Sequence, residues 1–197
     1  MTRIIAGAAR GRRLAVPAGR GTRPTADRAR EGLFSTLESL TGTLRGARVL
    51  DLYAGSGAVG LEALSRGAGA ALMVDSDEAA VRVIRANVDT LALAGAEVRM
   101  GRAERLVAAS PATEPFDVAF LDPPYELDND AVRAVLVDAL ANGWLAPDAV
   151  VAVERVTRGG PWTWPAGYAP VRFRRYGEAT LWYGHAGSSP AAPTTEV

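Results

Sequence analysis

The sequence predicts an α/β protein with a doubly wound, mostly parallel sheet, and three observations lead to that fold class. Short apolar runs alternate with amphipathic segments of helical spacing from residue 47 to residue 154, which is the rhythm of βαβ units. A glycine-rich stretch separates the first of these strands from its helix. A later apolar strand stops at the two prolines of Leu121-Asp122-Pro123-Pro124-Tyr125, which cannot extend a sheet ladder.

The residues before this alternation predict a small appendage and a helix. Two short alternating segments, 3–7 and 12–17, indicate a β-hairpin, and the helix that follows has Thr25 as its expected N-cap. The predicted organisation is a basic hairpin arm at 1–22, one domain at 23–185, and a tail at 186–197. The tail is rich in small residues and proline, so we expect it to be disordered.

Within the domain, each predicted strand is an apolar run and each helix has one apolar face. Ser76 is the expected cap of the second helix of the alternation, and Gly67 ends the first. A closing hairpin is predicted at 171–183 with its turn at 177–178. The five strands of the alternation are predicted at 47–52, 70–75, 97–100, 116–121 and 149–154.

Composition excludes several kinds of chemistry. The 197 residues contain no cysteine, and His185 is the only histidine, which argues against disulfides, cysteine nucleophiles, Ser-His triads and histidine-rich metal sites. No apolar run reaches the roughly 18 residues of a membrane span, and the N-terminus has no signal-peptide pattern, so we expect a cytoplasmic protein. Its chemistry must use carboxylates, backbone groups, aromatic rings and arginines.

The charge is unevenly distributed although it sums to zero. Residues 1–30 hold eight arginines and one acid, whereas the rest holds fourteen arginines and twenty-one acids. A basic arm on an acidic body suggests a polyanionic partner, but an ordinary solvated face or a structural hairpin covering a sheet edge or pocket are open alternatives. The arginines expected to hold nucleic-acid phosphates are Arg3, Arg10, Arg12, Arg13 and Arg20.

The glycine-rich stretch predicts a site for a nucleoside cofactor. Residues 55–60 fit G-x-G-x-x-G between a strand and a helix, and Asp75 ends the next strand, where an acid can receive two ribose hydroxyls. The pattern alone does not separate a dinucleotide from S-adenosylmethionine. Asp51 favours the latter, because its carboxylate could hold an α-amino group but would repel a pyrophosphate. The D-P-P-Y corner favours S-adenosylmethionine too. So does the lack of an evident second domain that could hold a hydride-transfer substrate.

These motifs resemble a known family. Residues 51–67 with 121–125 are similar to the S-adenosylmethionine-dependent amino-methyltransferases. Residues 3–7 and 23–34 are similar to one branch of them, the small-subunit rRNA guanine-N2 methyltransferases of the RsmD type, and the similarity covers nearly all of 3–185. It implies a Rossmann-like class I methyltransferase fold with seven strands, the last antiparallel. It also implies methylation of the exocyclic N2 of a guanine in 16S rRNA within a small-subunit assembly intermediate. Separately, we expect the enzyme to be a monomer that needs neither a metal nor a membrane.

On this interpretation the Asp122 carboxylate and the Pro123 carbonyl accept hydrogen bonds from the two N–H groups of the guanine amine, and Tyr125 stacks on the base. Related enzymes often carry Asp or Asn after the third strand to hold the adenine amino group, whereas Arg102 stands there and cannot accept that bond. Adenine recognition is therefore assigned to the Ala103 backbone or another group. The full set of expected cofactor contacts is Asp51, Tyr53, Ala54, Gly55, Ser56, Gly57, Asp75, Ser76, Arg102, Ala103 and Asp122.

Two other functions were weighed against rRNA methylation. DNA adenine-N6 methyltransferases use the same D-P-P-Y corner, but they usually need a target-recognition domain and no block of this chain is free to be one. A non-catalytic RNA-binding protein could keep the fold, but it would have no need of both an intact glycine loop and an intact corner. Methyl transfer on DNA and on rRNA separates these possibilities.

Overall fold

The computed structural model describes residues 2–17, 24–187 and 195–196, and the chain divides into two compact units, Met1–Arg102 and Ala103–Val197. We call them the first and the second unit. The predicted boundary at 22/23 is not a boundary between these units, since the hairpin belongs to the first unit. Arg20 and the loop around it lie outside the described residues.

The first unit contains the hairpin and three parallel strands with their helices. In the hairpin, Thr2 pairs with Leu14 and Arg3 with Arg13 in antiparallel register. Strand β4 lies between β3 and β5 and is parallel to both, as alternating βαβ units require. The elements are β1 (Thr2–Arg3), β2 (Arg13–Leu14), α1 (Pro24–Thr41), β3 (Arg48–Asp51), α2 (Ala58–Ser65), β4 (Ala70–Asp75), α3 (Glu78–Leu91) and β5 (Ala96–Met100).

Two predicted helix caps were wrong. Helix α1 begins at Pro24, so Thr25 lies inside it; the fixed φ of proline suits the first helical position and starts the helix earlier. Helix α3 is capped by Asp77, whose side chain accepts a hydrogen bond from the Ala79 amide, and Ser76 precedes the cap. The carboxylate of Asp77 also has a favourable interaction with the positive end of the helix dipole.

The second unit contains the D-P-P-Y corner and the closing hairpin. Strand β7 is parallel to β6, and β9 runs antiparallel to both β7 and β8, as expected for the last long strand. The elements are α4 (Ala103–Val107), β6 (Phe116–Leu121), α5 (Asn129–Ala141), β7 (Leu145–Val156), β8 (Tyr168–Tyr176), β9 (Ala179–Ala186) and β10 (Thr195–Glu196).

The predicted disordered tail is only partly described. Ala186 is the last residue of β9, and the two residues of β10 pair in parallel with Arg172 and Phe173 of β8. Residues 188–194 and 197 lie outside the described residues. Among the helices that the structure describes, none combines the length and apolar character needed to cross a bilayer.

Candidate active site

The candidate site of the first unit is built around Asp75 at the end of β4. Its side chain is 8% exposed, and its two carboxylate oxygens accept hydrogen bonds from different backbone amides. Oδ2 accepts from the Gly55 amide at 2.8 Å, and Oδ1 accepts from the Asp77 amide at 2.9 Å. Each carboxylate oxygen can accept a second bond, so Asp75 fixes the glycine loop and retains capacity for hydroxyl donors.

The glycines of the loop are required by two different physical constraints. Gly55 and Gly57 have φ values of 59° and 76°, a region that strongly favours glycine. Gly60 lies in α2, where a Cβ would come within 2.5 Å of the Met73 Cγ on β4. At Gly60 the requirement is therefore close packing of helix on strand, while the two earlier glycines shape the turn that presents backbone amides at the start of α2.

Asp51 is the second acid of the candidate site in the first unit. It ends β3, is 1% exposed, and its Oδ2 accepts from the Gly60 amide at 3.3 Å. The neighbouring Tyr53 is half-buried, and the Ala54 amide donates to the Val74 carbonyl at 2.9 Å, which holds the loop against β4. Two carboxylates beside the loop match a ligand with hydroxyls and a cationic amino group better than one with a pyrophosphate.

Asn87 is a residue of the same site that sequence reasoning missed. Its side chain on α3 is buried, and its Nδ2 donates to the Ser56 carbonyl at 2.9 Å and to the Ala15 carbonyl at 3.0 Å. Its Oδ1 accepts from the Ala15 amide at 2.8 Å. One amide side chain thus joins the glycine loop to the hairpin arm. Its position on the buried stripe of α3 was the available signal, because a buried amide must find partners.

The arm is joined to helix α2 by two polar side chains. Glu62 is fully buried and accepts from the Ile5 amide at 2.7 Å and the Ala6 amide at 2.9 Å, while Arg66 donates to it at 2.8 Å. Ser65 Oγ accepts from the Ala9 amide at 2.9 Å. A Cβ at Gly7 would come within 1.8 Å of the Ser65 carbonyl oxygen, so only glycine permits this approach.

The arm also contributes apolar side chains to the core of the first unit. Ile4, Ala9 and Leu14 belong to the same buried cluster as Leu61 and Met73. The structural alternative considered for the hairpin is therefore partly correct, since the arm covers α2 and the glycine loop. This contact leaves the outward face of the hairpin for another role.

Four of the five predicted phosphate-binding arginines are described, and all four are exposed. Arg3 Nε lies 3.7 Å from Asp27 Oδ2, and Arg12 donates to the Thr90 carbonyl at 2.6 Å. Among the described residues, the side chains of Arg10 and Arg13 have no hydrogen-bond or ion-pair partner. The latter two therefore present their full charge on the arm surface.

The residues after β5 lie at the boundary of the first unit. The Gly101 amide donates to the Asp75 carbonyl at 2.9 Å, which places Arg102 next to the segment that carries the acid. Arg102 is exposed. In the second unit, Ala103 is the first residue of α4 and is buried.

The second unit carries a candidate site of its own, the corner that follows β6. Asp122 and Tyr125 are exposed, the latter by 51%, whereas Pro123 is buried between them. The Leu127 amide donates to the Pro124 carbonyl at 3.0 Å and closes a turn. A buried proline with fixed φ keeps the corner rigid, so one carboxylate and one aromatic ring are held outward at a fixed spacing.

Arg155 on β7 holds the segment that follows this corner. It is 7% exposed, its Nε donates to Asn129 Oδ1 at 2.9 Å, and its terminal nitrogen donates to the Leu127 carbonyl at 2.6 Å. A cavity of about 230 Å³ lies above it, with Tyr125 at one wall and Trp162 at another. The sequence offered only one signal for Arg155, a charge inside an apolar strand.

Glu154 is a second acid near the corner that the sequence did not single out. Leu121 pairs with Val153 in the parallel ladder; Asp122 directly follows β6, and Glu154 is the next residue of β7. Glu154 is partly buried, whereas Asp122 is exposed. Burial, followed by the nearby charge of Asp122, raises the pKa of Glu154 from 4.5 to about 8.

The residues present fit the predicted cofactor. In the first unit, the carboxylate of Asp75 suits ribose hydroxyls and that of Asp51 suits an α-amino group. The backbone amides of the glycine loop suit a carboxylate. Ser76 is exposed beside Asp75, and no contact of its side chain with the loop is seen among the described residues. No group of three or more potential metal ligands occurs in the described ranges.

Comparison with known proteins gives a consistent family. The family model described as Conserved hypothetical protein 95 matches residues 2–185. The chain is 38% identical over 180 residues to the ribosomal RNA small subunit methyltransferase D of Escherichia coli, covering 89% of this chain and 85% of that protein. It is also 38% identical over 154 residues to the protein of the same name from Haemophilus influenzae, with 77% of each chain covered.

Solved structures show the same fold. The Escherichia coli protein yhhF has a TM-score of 0.81 at 34% identity and covers 93% of this chain and 97% of its own. The Thermus thermophilus protein TTHA0928 has a TM-score of 0.76 at 36% identity, with 93% and 98% covered. The magnesium protoporphyrin IX methyltransferase of Synechocystis, solved with bound S-adenosylmethionine, has a TM-score of 0.64 at 14% identity, with 85% and 86% covered, and shares the fold alone. The predicted class I methyltransferase fold is confirmed.

Proposed function

The chain belongs to the RsmD-type methyltransferase family, whose model is described as Conserved hypothetical protein 95, and we propose that it methylates the exocyclic N2 of a guanine in 16S rRNA. The cofactor of this family of enzymes is S-adenosylmethionine. The observation that carries the proposal is the corner after β6, where Asp122 and Tyr125 stand exposed on either side of the buried Pro123.

The corner suits an amine attached to a flat ring. The lone pair of the guanine amine is delocalised into the ring, so the amine is a weak nucleophile. Acceptors at both N–H bonds favour a pyramidal nitrogen whose lone pair points away from the ring. We assign one acceptor to the Asp122 carboxylate and the other to the Pro123 carbonyl, with Tyr125 stacked on the base. The rigid corner acts by positioning, which contributes much of the rate of a displacement on a good leaving group.

The first unit supplies the residues that would hold the cofactor. Asp75 would accept the ribose hydroxyls, Asp51 the α-amino group, and the amides of residues 55–57 would meet the carboxylate. S-adenosylmethionine supplies a methyl group on a sulfonium centre. Because the side chain of Arg102 has no hydrogen-bond acceptor, we assign recognition of the adenine amino group to the backbone of Ala103.

The outward face of the arm suits RNA phosphates. The side chains of Arg10 and Arg13 have no partner among the described residues, and Arg3 keeps much of its exposure despite Asp27. Exposed guanidinium groups bind phosphates and increase the association rate with a polyanion. The target base must leave its stack or be presented in a loop to reach the corner. We further propose that the substrate is a small-subunit assembly intermediate in the cytoplasm and that the enzyme acts as a monomer.

A methyl-transfer assay with labelled S-adenosylmethionine tests the proposal. The substrates are precursor particles of the small subunit from cells lacking the enzyme, mature small subunits, naked 16S rRNA and naked DNA. We expect label in the 16S rRNA of precursor particles and none in DNA. Label in DNA alone would favour adenine-N6 methylation, and binding of RNA without label on any substrate would favour a non-catalytic binder.

A further inference from the structure

The end of β7 carries an acid that the function proposed above does not use. Val153 pairs with Leu121 of β6, with Trp182 of β9, and through Trp182 with Phe173 of β8. The residue after Leu121 is Asp122, which directly follows β6, and the residue after Val153 is Glu154, which pairs with Leu181 and through it with Arg174. Because each acid is one residue beyond the Leu121–Val153 pair, and the charge of Asp122 acts on Glu154, the two carboxyl groups lie close together.

We propose that Glu154 is a positioning residue that forms a carboxyl pair with Asp122, so that the pair holds one proton and one negative charge during methyl transfer. This inference rests on the proposed function for its catalytic consequence and on the geometry of the second unit for the pair itself. Strand spacing of about 4.8 Å brings the two side chains within reach of each other.

Burial decides which member of the pair holds the proton. Two adjacent carboxyl groups do not both ionise readily, and the more buried one has the greater desolvation cost when charged. Glu154 is the more buried, while Asp122 is exposed. Burial and the neighbouring Asp122 charge raise the pKa of Glu154 to about 8, which agrees with this assignment.

The other charged and titratable groups of the second unit do not replace Asp122 as the partner. Tyr183 of β9 is opposite Ala152, on the same face as Glu154. Arg174 is opposite Leu181, one strand further away. Arg155 points to the other face, where its guanidinium group donates to Leu127 and Asn129. Asp122 is the charged neighbour that shifts the titration of Glu154.

The pair gives Asp122 a fixed orientation and gives the released proton a route. In the transfer, the guanine N2 lone pair forms the N–C bond while the C–S bond breaks, and that electron pair remains on sulfur. The methylated nitrogen then has one proton in excess. The Asp122 carboxylate accepts this proton and, being exposed, passes it to water. The protonated Glu154 donates toward Asp122, which keeps that carboxylate ionised and leaves its other oxygen for the amine.

Two substitutions test the catalytic part. Glu154→Gln keeps the size and a donor group, whereas Glu154→Ala removes the donor. We expect Glu154→Ala to lower kcat by about 10- to 100-fold, the scale of a lost positioning contact, with little change in the KM for RNA, and Glu154→Gln to stay within about 3-fold of the unaltered enzyme at pH 7. The unaltered enzyme should lose activity above about pH 8, and Glu154→Gln should lack that alkaline decline. Wild-type kcat in Glu154→Ala, or the same alkaline decline in Glu154→Gln, would overturn the positioning role.

A stability measurement tests, without any activity, whether Glu154 holds the proton. Because the pKa of Glu154 is raised from 4.5 to about 8, the folded protein binds more protons than the unfolded chain between these values, so this group's contribution to stability falls as pH rises through that window. Denaturant unfolding from pH 5 to pH 9 should therefore show Glu154→Gln gaining stability relative to the unaltered protein as pH rises. Parallel curves would refute the shared proton, whereas diverging curves without methyl transfer on any substrate would refute the proposed function alone.

Discussion

At the scale of single residues, two aspartates at strand ends have different surroundings. Asp122 is exposed at the corner, where we propose that it accepts a hydrogen bond from the guanine amine, whereas Asp75 is buried and accepts hydrogen bonds from two backbone amides of the first unit. Removing each should therefore affect a different step of the reaction.

Asp122→Ala should abolish detectable methyl transfer, a loss of at least about 100-fold in kcat, because the amine loses one of its two acceptors. Cofactor affinity measured by calorimetry should remain nearly unchanged. Asp130→Ala is the matched control, since Asp130 is an exposed acid on α5 whose only described partner is Arg133. Near-normal turnover of Asp122→Ala would show that the chemistry lies elsewhere.

Asp75→Ala should weaken cofactor binding by about 1–3 kcal/mol, the usual cost of leaving buried polar groups without partners. Both the ribose hydroxyls and the Gly55 amide would lose an acceptor. Asp77→Ala provides the control, because it removes the cap of α3 and should lower stability by about 1 kcal/mol while sparing cofactor affinity. Unchanged affinity of Asp75→Ala by calorimetry would remove Asp75 from the ribose site.

At the scale of elements, the hairpin arm has two faces with separate roles. Its inner face is fixed by Glu62, Ser65 and Asn87, and its outer face carries the arginines. Deleting the arm would remove Ile4 and Leu14 from the buried cluster that contains Leu61 and Met73, so a deletion would change stability as well as RNA binding.

The double substitution Arg10→Gln with Arg13→Gln isolates the outer face. RNA affinity should fall, and the slope of log K against log salt should decrease by up to about 0.7 to 0.9 per lost phosphate contact, with the melting temperature unchanged. Arg82→Gln is the matched control, since Arg82 is an exposed arginine of the first unit that pairs with Glu78 on α3. Equal salt slopes for the double variant and the unaltered protein would exclude an RNA contact by these arginines.

The elements also show where sequence reasoning succeeds. Strands β3 to β7 and the closing hairpin were expected because their periodicity and punctuation are local properties of the chain. Two helix caps were misplaced, since Thr25 lies inside α1, which begins at Pro24, and Asp77 rather than Ser76 caps α3. The contacts of Glu62 with Ile5 and Ala6 join residues more than fifty positions apart, and no local pattern encodes them.

At the scale of the whole molecule, the site could be predicted as two motifs but not as a set of supporting contacts. The glycine loop and the corner have recognisable sequences, and the structure places Asp75 on the loop and Asp122 at the end of β6. The positions of Glu154 and Arg155 near the corner depend on the register between β6 and β7. No local sequence pattern predicts that register. The basic arm on an acidic chain was predicted from charge alone, and its attachment to α2 was not.

Nucleoside analysis of the product tests the proposal that this chain methylates the N2 of a guanine in 16S rRNA. Precursor particles are incubated with the enzyme and S-adenosylmethionine carrying a deuterated methyl group, and the rRNA is digested and examined by mass spectrometry. We expect deuterated N2-methylguanosine from 16S rRNA, and none with Asp122→Ala. A deuterated methyl group on adenine, on another guanine atom, or on no nucleoside of the particle would contradict it.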